Sequence, residues 1–565
     1  MNGEDRIAHK KLPIGISDYP SVINGSYFYV DKTLLIKEIL DRGVAATLLV
    51  RPRRFGKTLN LSMIRTFFEK TPSSTAHLFW DFAIAKYPDC MSIQGTKPVI
   101  FFSLKDIKGE SWSLTYDMVR RVVADELRRH AYLLDTAVLD ESEKRNFMDM
   151  IDGSASEAVY TSVLKNLSRW LYAYHGVKPI ILIDEYDTPV HEGFAYGYYD
   201  RIIRFIRDFL GAGLKDNSAL EFAFVTGILR VAKESVFSDL NNLFVCSMLD
   251  EAYASAFGLL EHEVLVALAQ YYLADRIDVA RSWYDGYCVG SEQHVYNPWS
   301  IINFLDQKGS ERAYWINTST NTLIRTLIEK SSAESKIIFE RLMAGEAVRL
   351  ELYEHISFSD IEHMTGAVWS FLLSTGYLTY QNFELIDGHM FADVLLPNNE
   401  VKYFYAFALS EWIKGSHAFD DYEHMLKALD TGDSETFIRA FEQFVTESLS
   451  YFDVSGSKPE LFYHAFVLGM LVGLRSTHDV RSNRESGYGR YDVMVIPKDQ
   501  RKKGYIFEFK KVDLRRGELL DEAATSALDQ IESRQYAKEL EDRDIAQVIS
   551  FGIAFAGKHV CIKMR

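Results

Sequence analysis

The chain has 565 residues, 47% of them hydrophobic and 25% charged, with a net charge of −16. That is the balance of a folded globular protein long enough for about three domains, and it excludes both a disordered chain and a polycation that coats nucleic acid along its whole surface. Cys90, Cys246, Cys288 and Cys561 form no CxxC pair, the N-terminus is polar, and the longest apolar run, near Ala465–Leu474, is about half the roughly 20 residues that span a bilayer. The expectation is a cytoplasmic protein with no disulfide framework, zinc site or membrane partner.

In chain order, a turn-rich lead-in and a helix over Asp31–Asp41 precede a short apolar strand, Ala46–Val50. A basic loop follows, then a helix from about Lys57 to Glu69. Val99–Leu104 reads as a second strand, Ser113–Arg129 and Glu157–Tyr174 as helices, Pro179–Asp184 as a third strand and Leu220–Thr226 as a fourth. Strands alternating with helices predict a parallel α/β sheet. From Glu261 to Ala344 the pattern is mainly helical. Trp369–Tyr380 and Phe383–Leu396, with a turn at Asp387-Gly388, read as a helix and a β-hairpin, a winged-helix-like connector. Helices return over Asn399–Leu449. The loop Asp453–Pro459 opens the last region: a helix (Glu460–Leu474), two strands (Tyr491–Ile496 and Gly504–Phe509), a helix (Arg516–Leu540) and a strand (Gln547–Phe555). The expected division is 1–260, 261–398, 399–453 and 454–565.

Arg51-Pro-Arg-Arg-Phe-Gly-Lys-Thr58 lies between a strand and a helix, where a phosphate-binding loop belongs. N–H groups at a helix start, with the positive end of its dipole, attract phosphate. Gly56 permits close backbone approach, Lys57 offers a charge to the β- and γ-phosphates, and Thr58 offers a hydroxyl to Mg²⁺. Arg51, Arg54, Phe55 and Leu59 complete the candidate ATP site. Arg51 stands where the GxxxxGK[ST] motif has glycine, and GKT alone is equally consistent with a basic turn. Ile180–Glu185 is an apolar strand ending in two acids. Asp184 is placed to reach the nucleotide's Mg²⁺, and Glu185 to orient or deprotonate water; alone, the same acids merely begin a loop. Thr226 ends another strand, either as a γ-phosphate sensor or as a small residue closing a buried strand. Asn241 and Asn242 are weaker candidates.

These stretches, RPRRFGKTL, IDEYD (Ile183–Asp187) and TGILR (Thr226–Arg230), together with WYDGY (Trp283–Tyr287), YNPWS (Tyr296–Ser300), FLLSTGYLTY (Phe371–Tyr380) and LPNNEV (Leu396–Val401), resemble the AAA-ATPase-like proteins that carry a C-terminal PD-(D/E)XK nuclease domain. The resemblance covers nearly the whole chain. It implies that arginine at position 51 is usual for such proteins, and that the fold is an additional-strand P-loop NTPase with Val99–Leu104 between the two nucleotide motifs in sequence.

The second constellation is Gly489-Arg-Tyr-Asp492 and Ile506-Phe-Glu-Phe-Lys510. Alternation along a strand sends Glu508 and Lys510 to one face, with Phe507 and Phe509 to the other. Asp492 on the neighbouring strand approaches Glu508 across the hairpin. Paired carboxylates repel, and Mg²⁺ or Mn²⁺ relieves the repulsion. The metal holds a scissile phosphate and activates water, and Lys510 stabilises the charge that develops. An isolated ExK triplet is usually a surface ion pair; buried flanks and a following helix favour a catalytic reading, the PD-(D/E)XK pattern. Glu460 either completes the metal site or is a helix-start acid favoured by the dipole; Glu485 is a weaker rival. Gln530 and Tyr536 resemble the glutamine–tyrosine helix motif of related nucleases, which implies contact with the nucleic-acid backbone near the site, and equally fit an ordinary amphipathic helix. Arg475–Arg516 holds 12 Lys/Arg against 6 Asp/Glu, a basic island in an acidic chain. Within it Arg490, Lys511, Arg515 and Arg516 are candidates for phosphate contacts, which position a nucleic acid without reading bases.

The expected fold class is therefore α/β: an AAA-like P-loop NTPase, a helical and winged-helix-like middle, and a C-terminal restriction-endonuclease-like PD-(D/E)XK domain. The expected function is an ATP-regulated, metal-dependent DNA nuclease. The rival is a nucleotide-switched protein whose nuclease fold grips nucleic acid or a protein without cutting. A homo-oligomer is compatible with either, and Arg53, Arg54, Arg204, Arg207 and Arg230 are equal candidates for an arginine lent to a neighbour.

Overall fold

A computed structural model describes residues 10–229, 242–315, 333–343, 345–353, 356, 360, 365–405, 419–448, 467, 471, 474, 477–486, 489–545, 547–556 and 559–565. The chain divides into two compact units, residues 1–315 with 351–391, and residues 316–350 with 392–565.

In the first unit, β1 (Ala46–Val50), β2 (Val99–Ser103), β3 (Ile180–Asp184), β4 (Ala223–Gly227) and β5 (Leu243–Cys246) form one parallel sheet in the order β2-β3-β4-β1-β5. β1, β3 and β4 are buried at every position, as expected for apolar runs inside a parallel sheet. The sheet separates the consecutive strands β1 and β2 by β3 and β4, and β4 lies between β1 and β3. Leu49 pairs with Thr226 and Ile183 with Val225, so the ends of β1 and β3 flank Thr226. β2 falls between the nucleotide motifs in sequence but at the sheet's outer edge. The helix Lys57–Phe68 packs Leu61, Ile64, Phe67 and Phe68 into a core with Leu49, Leu182 and Phe224. Each such buried side chain contributes about 1.5–3 kcal/mol, which anchors the helix whose first turn meets the phosphate loop.

Several elements differ from the sequence expectation. The helix expected over Glu157–Tyr174 is two, Glu157–Thr161 and Val163–His175, broken at Ser162. The mainly helical stretch after Glu261 also contains a small antiparallel sheet, with β8 (Glu292–Tyr296) between β6 (Leu259–Leu260) and β7 (Tyr287–Val289). Gly290, at φ +55°, turns the β7–β8 hairpin, a local cue too short to outweigh the helical periodicity around it. β9 (Val348–Leu352) is followed by the helix Thr365–Ser374 and the hairpin of β10 (Thr379–Ile386) and β11 (His389–Leu395). Its turn is at Asp387-Gly388, with both φ angles positive, as that dipeptide favours.

The second unit contains β12 (His478–Ser486), β13 (Gly489–Pro497), β14 (Gly504–Lys511), β15 (Val548–Ala556) and β16 (His559–Met564), paired in that order. All pairs are antiparallel except β14–β15. The edge strands β12 and β16 were not expected: β12 reads HDVRSNRES, without an apolar alternation. The helix after β14 begins at Leu520 rather than Arg516, because Gly517 turns the chain at φ +78°; it ends at Ser533, and Lys538–Glu541 is a separate short helix. The entrance loop Asp453–Pro459 and most of the helix expected over Glu460–Leu474 lie outside the described residues.

Candidate active sites

The phosphate loop leaves β1 at Val50 and enters its helix at Lys57. Gly56 has φ +83°, so the position favours glycine. Arg51 does not have a positive φ, which is why an arginine fits where the motif has glycine. Its side chain takes a role other than the nucleotide contact expected. Arg51 is fully buried, and its guanidinium donates to the carbonyls of Val50 at 2.9 Å, Ser247 at 2.5 Å and Ala252 at 3.1 Å. It therefore ties β1 to the segment after β5. Arg54 is exposed, at φ +68°, with its guanidinium 4.4 Å from the Trp299 ring centroid. Phe55 is buried against Tyr287, and Leu59 is half-buried on the core side; both brace the loop.

Lys57 is buried, and Nζ donates to the carbonyls of Arg51 and Pro52, each at 2.8 Å. Burial pulls its pKa down, opposed by Glu185, Asp187 and Asp184. Asp184 is fully buried at the end of β3. Thr58 Oγ1 donates to its Oδ2 at 2.8 Å, and Thr226 Oγ1 donates to its Oδ1 at 2.8 Å. Burial and the neighbouring Glu185 push its carboxyl up, against these hydroxyls and Lys57. Glu185 is half-buried, at φ +51°, and its Oε2 accepts from Thr188 at 3.1 Å. The fold thus brings together Lys57, Thr58, Asp184, Glu185 and Thr226 from three strand ends. A hydroxyl and a carboxylate in contact beside a buried lysine are the donor set that suits a hydrated Mg²⁺ and a polyphosphate. Asn242 instead donates to the Leu214 carbonyl at 2.8 Å. Asn241 and Arg230 lie outside the described residues.

In the second unit, β13 and β14 pair antiparallel through Val493–Phe507 and Met494–Ile506. One step further along this ladder Asp492 is opposite Glu508, with both side chains on one face. Asp492 Oδ2 accepts the N–H of Phe509 at 2.9 Å. Glu508 is buried, and Lys510 lies two residues on, its Nζ 3.8 Å from Glu508 Oε1. Gln530, from the helix Leu520–Ser533, joins them. Lys510 Nζ donates to Gln530 Oε1 at 2.7 Å, and Gln530 Nε2 donates to Glu508 Oε1. Only this amide orientation serves a cation and a carboxylate together.

Tyr536 is 2% exposed, with its ring buried. Its hydroxyl accepts from Gln530 Nε2 at 3.4 Å, and burial raises its pKa. The glutamine–tyrosine pair braces the acidic site from within. Beside it, an open cleft of about 650 Å³ is lined by Gly489, Ser526, Asp529, Gln530, Ser533, Arg534 and Tyr536. Lys511 and Arg516 are exposed, and Arg516 lies 3.5 Å from Asp513. Strand alternation sends Lys511 to the face opposite Lys510. Glu460 and the side chains of Glu485, Arg490 and Arg515 lie outside the described residues.

Among the described residues, no group of three or more His, Cys, Asp and Glu is arranged to hold a metal ion. A facing pair of carboxylates still fits Mg²⁺ or Mn²⁺, which commonly take one or two carboxylates and complete their shell with water and phosphate. No helix of the described residues is long and apolar enough to cross a membrane.

Sequence reasoning did not single out Asp187, which the fold sets beside the candidate nucleotide-site residues. It is 1% exposed, and its Oδ2 accepts the N–H groups of Ile228 at 2.8 Å and Leu229 at 2.9 Å. The available signal was a third acid in the IDEYD run, three residues after Asp184.

Residues 13–237 match the family model of a predicted AAA-ATPase, AAA-ATPase-like, and residues 458–565 match that of the PD-(D/E)XK nuclease superfamily. The "Uncharacterized protein in vnfD 5'region" of Azotobacter chroococcum mcd 1 is 27% identical over 558 residues, covering 95% of each chain. Two solved structures give weak overlaps. One is a STAND signal-transduction ATPase with a tetratricopeptide-repeat sensor from Pyrococcus horikoshii: 12% identity, TM-score 0.24, spanning 79% of this chain and 56% of that one. The other is the Aeropyrum pernix ORC1 protein in complex with DNA: 14% identity, TM-score 0.19, spanning 67% and 91%.

Proposed function

We propose that this chain, which joins an AAA-ATPase-like domain to a PD-(D/E)XK nuclease-superfamily domain, binds and hydrolyses ATP in the first and thereby regulates metal-dependent cleavage of DNA by the second. The observation that carries the reading is the common face of Asp492, Glu508 and Lys510, with Gln530 hydrogen-bonded to both the buried acid and the lysine. The Thr58–Asp184–Thr226 cluster beside Lys57 supports the ATPase half.

At the nucleotide site, Gly56 and the first turn of its helix offer N–H groups to phosphate. Lys57 exchanges two loop carbonyls for the β- and γ-phosphates. Thr58 and Asp184 are the residues for Mg²⁺, Glu185 orients or deprotonates the attacking water, and Thr226 senses the γ-phosphate through Asp184. At the nuclease site, Asp492 and Glu508 are the residues for Mg²⁺ or Mn²⁺, with Glu460 the candidate for a third acid. The ion, when bound, supplies Lewis-acid polarisation of the scissile phosphate and an acidified water. Lys510, fixed by Gln530, donates to the charge that grows on phosphate oxygen. Arg516, with Arg490 and Arg515, contributes phosphate contacts that set register rather than sequence, and Lys511, on the opposite face of β14, is left out of that set. Nucleotide-dependent change in the first domain biases the second between idle and cutting states.

The test is cleavage of plasmid and single-stranded DNA with Mg²⁺ or Mn²⁺, with and without ATP, by wild type, Lys510→Ala and Lys57→Ala. The expected result is metal-dependent cutting lost in Lys510→Ala, and an ATP response lost in Lys57→Ala. DNA binding without cutting under any metal would replace the nuclease by a nucleotide-switched binder.

A further inference from the structure

We propose that Asp187 is a positioning residue for ATP hydrolysis, clamping the chain after β4 to the acidic turn after β3; this rests on the ATPase reading above. Three independent observations converge on it. First, Asp187 is buried and accepts two successive backbone N–H groups, Ile228 at 2.8 Å and Leu229 at 2.9 Å, immediately beyond the end of β4. Second, its neighbour reinforces the clamp: Tyr186 N–H donates to the Thr226 carbonyl at 3.1 Å, and Tyr186 Oη donates to the Leu229 carbonyl at 2.6 Å. Third, Gly227 leaves no slack. A Cβ there would lie 2.5 Å from the Tyr186 ring and 3.1 Å from Asp187 Oδ1. The Gly227 carbonyl in turn accepts the Arg51 N–H at 3.2 Å, so the phosphate loop joins the same assembly.

The clamp has a purpose that packing alone would not need. Asp184 and Asp187 bracket Glu185, a non-glycine residue at φ +51°. Such a backbone persists only where its surroundings over-determine it, and such residues gather at functional sites. Glu185 N–H also donates to Thr226 Oγ1 at 3.3 Å, the hydroxyl that serves Asp184. Holding the backbone at Ile228 and Leu229 fixes Thr226, and fixing Thr226 fixes both acids of the turn. Asp187 acts through the chain it holds, and so through Thr226 and Glu185. Loss of the clamp displaces the water-orienting acid, while Lys57 keeps its own anchors on the Arg51 and Pro52 carbonyls, so the loss falls mainly on kcat and less on affinity.

The experiment measures steady-state ATP turnover and nucleotide affinity in the full chain for wild type, Lys57→Ala, Asp187→Ala, Asp187→Asn and Gly227→Ala. We expect kcat to fall about tenfold or more in Asp187→Ala and Gly227→Ala, with nucleotide Kd within about threefold of wild type, because small misplacements of a reacting group are costly. Asp187→Asn recovers most of the loss, since an amide oxygen accepts both N–H groups. Wild-type kcat in folded Asp187→Ala, with Lys57→Ala inactive, would overturn the inference and leave the ATPase reading standing. A collapse of affinity at unchanged kcat would also overturn it. Absence of turnover in wild type itself would remove the ATPase reading, and the inference with it.

Discussion

Lys57 combines burial with three nearby acids, and under the proposed ATPase reading that combination gives nucleotide binding a pH dependence. Burial lowers its pKa from the ordinary 10.5, partly offset by Glu185, Asp187 and Asp184. Phosphate favours the charged lysine, so the bound-state pKa lies above the free-state value. Affinity is therefore full below the free-state pKa and declines as pH rises through it, in a window that opens below 10.5. Calorimetric titration in buffers of different ionisation enthalpy should show proton uptake on binding as the buffer turns alkaline; a flat affinity up to the ordinary lysine range would refute this. Gln530 supplies the residue-scale prediction for the other site. Because it holds Glu508 and Lys510 together, Gln530→Ala should lower cleavage about 10–100-fold, the usual cost of losing a partner behind a metal ligand. The divalent-metal requirement should remain, since Asp492 and Glu508 are untouched. Wild-type rates at every metal concentration would show that the bridge is dispensable.

At the scale of elements, the proposed nuclease site depends on how closely one helix lies on one sheet. Gly552 in β15 pairs with Glu508 in β14. A Cβ at Gly552 would lie 2.2 Å from the Ala524 carbonyl and 3.0 Å from the Leu528 nitrogen, both backbone atoms of the helix Leu520–Ser533. Gly552→Ala must lift that helix, and Gln530 rides on it. Overpacking of this kind costs about 1–3 kcal/mol, and the same shift pulls Gln530 away from Glu508. The variant should lower both the stability of the second unit by denaturant melting and the cleavage rate of the protein that remains folded. Unchanged stability would mean that the helix has room the geometry denies. The elements legible in the sequence were the apolar ones. ATLLV, VIFFS and IILID announce buried strands because nothing but burial explains such runs. The polar edge strand His478–Ser486 carries no such mark, since one side of an edge strand keeps contact with solvent and its identity comes from the partner it pairs with.

For the whole molecule, the division into two units, each with its own sheet, predicts two separable unfolding events. Calorimetry should resolve two transitions. Mg-ATP should raise the one that Lys57→Ala desensitises, and Gly552→Ala should lower the other. A ligand that binds only a folded unit stabilises it by mass action, by about 2.7 kcal/mol at a hundred times its Kd. A single transition shifted equally by nucleotide and by Gly552→Ala would show that the units unfold together. The second unit draws on two stretches of chain, 316–350 and 392–565, so a fragment beginning near residue 454 removes part of it.

The sequence by itself determined the chemistry on offer: a strand–loop–helix with RFGKT, a strand ending in Asp184 and Glu185, and Asp492 followed by Glu508 and Lys510. These are legible because strand alternation and helix-start polarity are local rules that bind neighbouring residues. Only the tertiary structure decided which side chains serve a ligand and which serve the frame. Arg51 read as a nucleotide contact, yet it is turned to the carbonyls of Ser247 and Ala252. Tyr536 read as a neighbour of nucleic acid, and the fold also buries its ring and sets its hydroxyl against Gln530. Asp187 was one acid in a run of three, and became a clamp only once β4 lay between β1 and β3. In each case the deciding partner lies about 40 to 200 residues away along the chain, except for the Gln530–Tyr536 pair, where burial decides. A charged or aromatic side chain of fixed identity has no fixed role until the fold supplies the carbonyl, N–H or apolar wall that it meets.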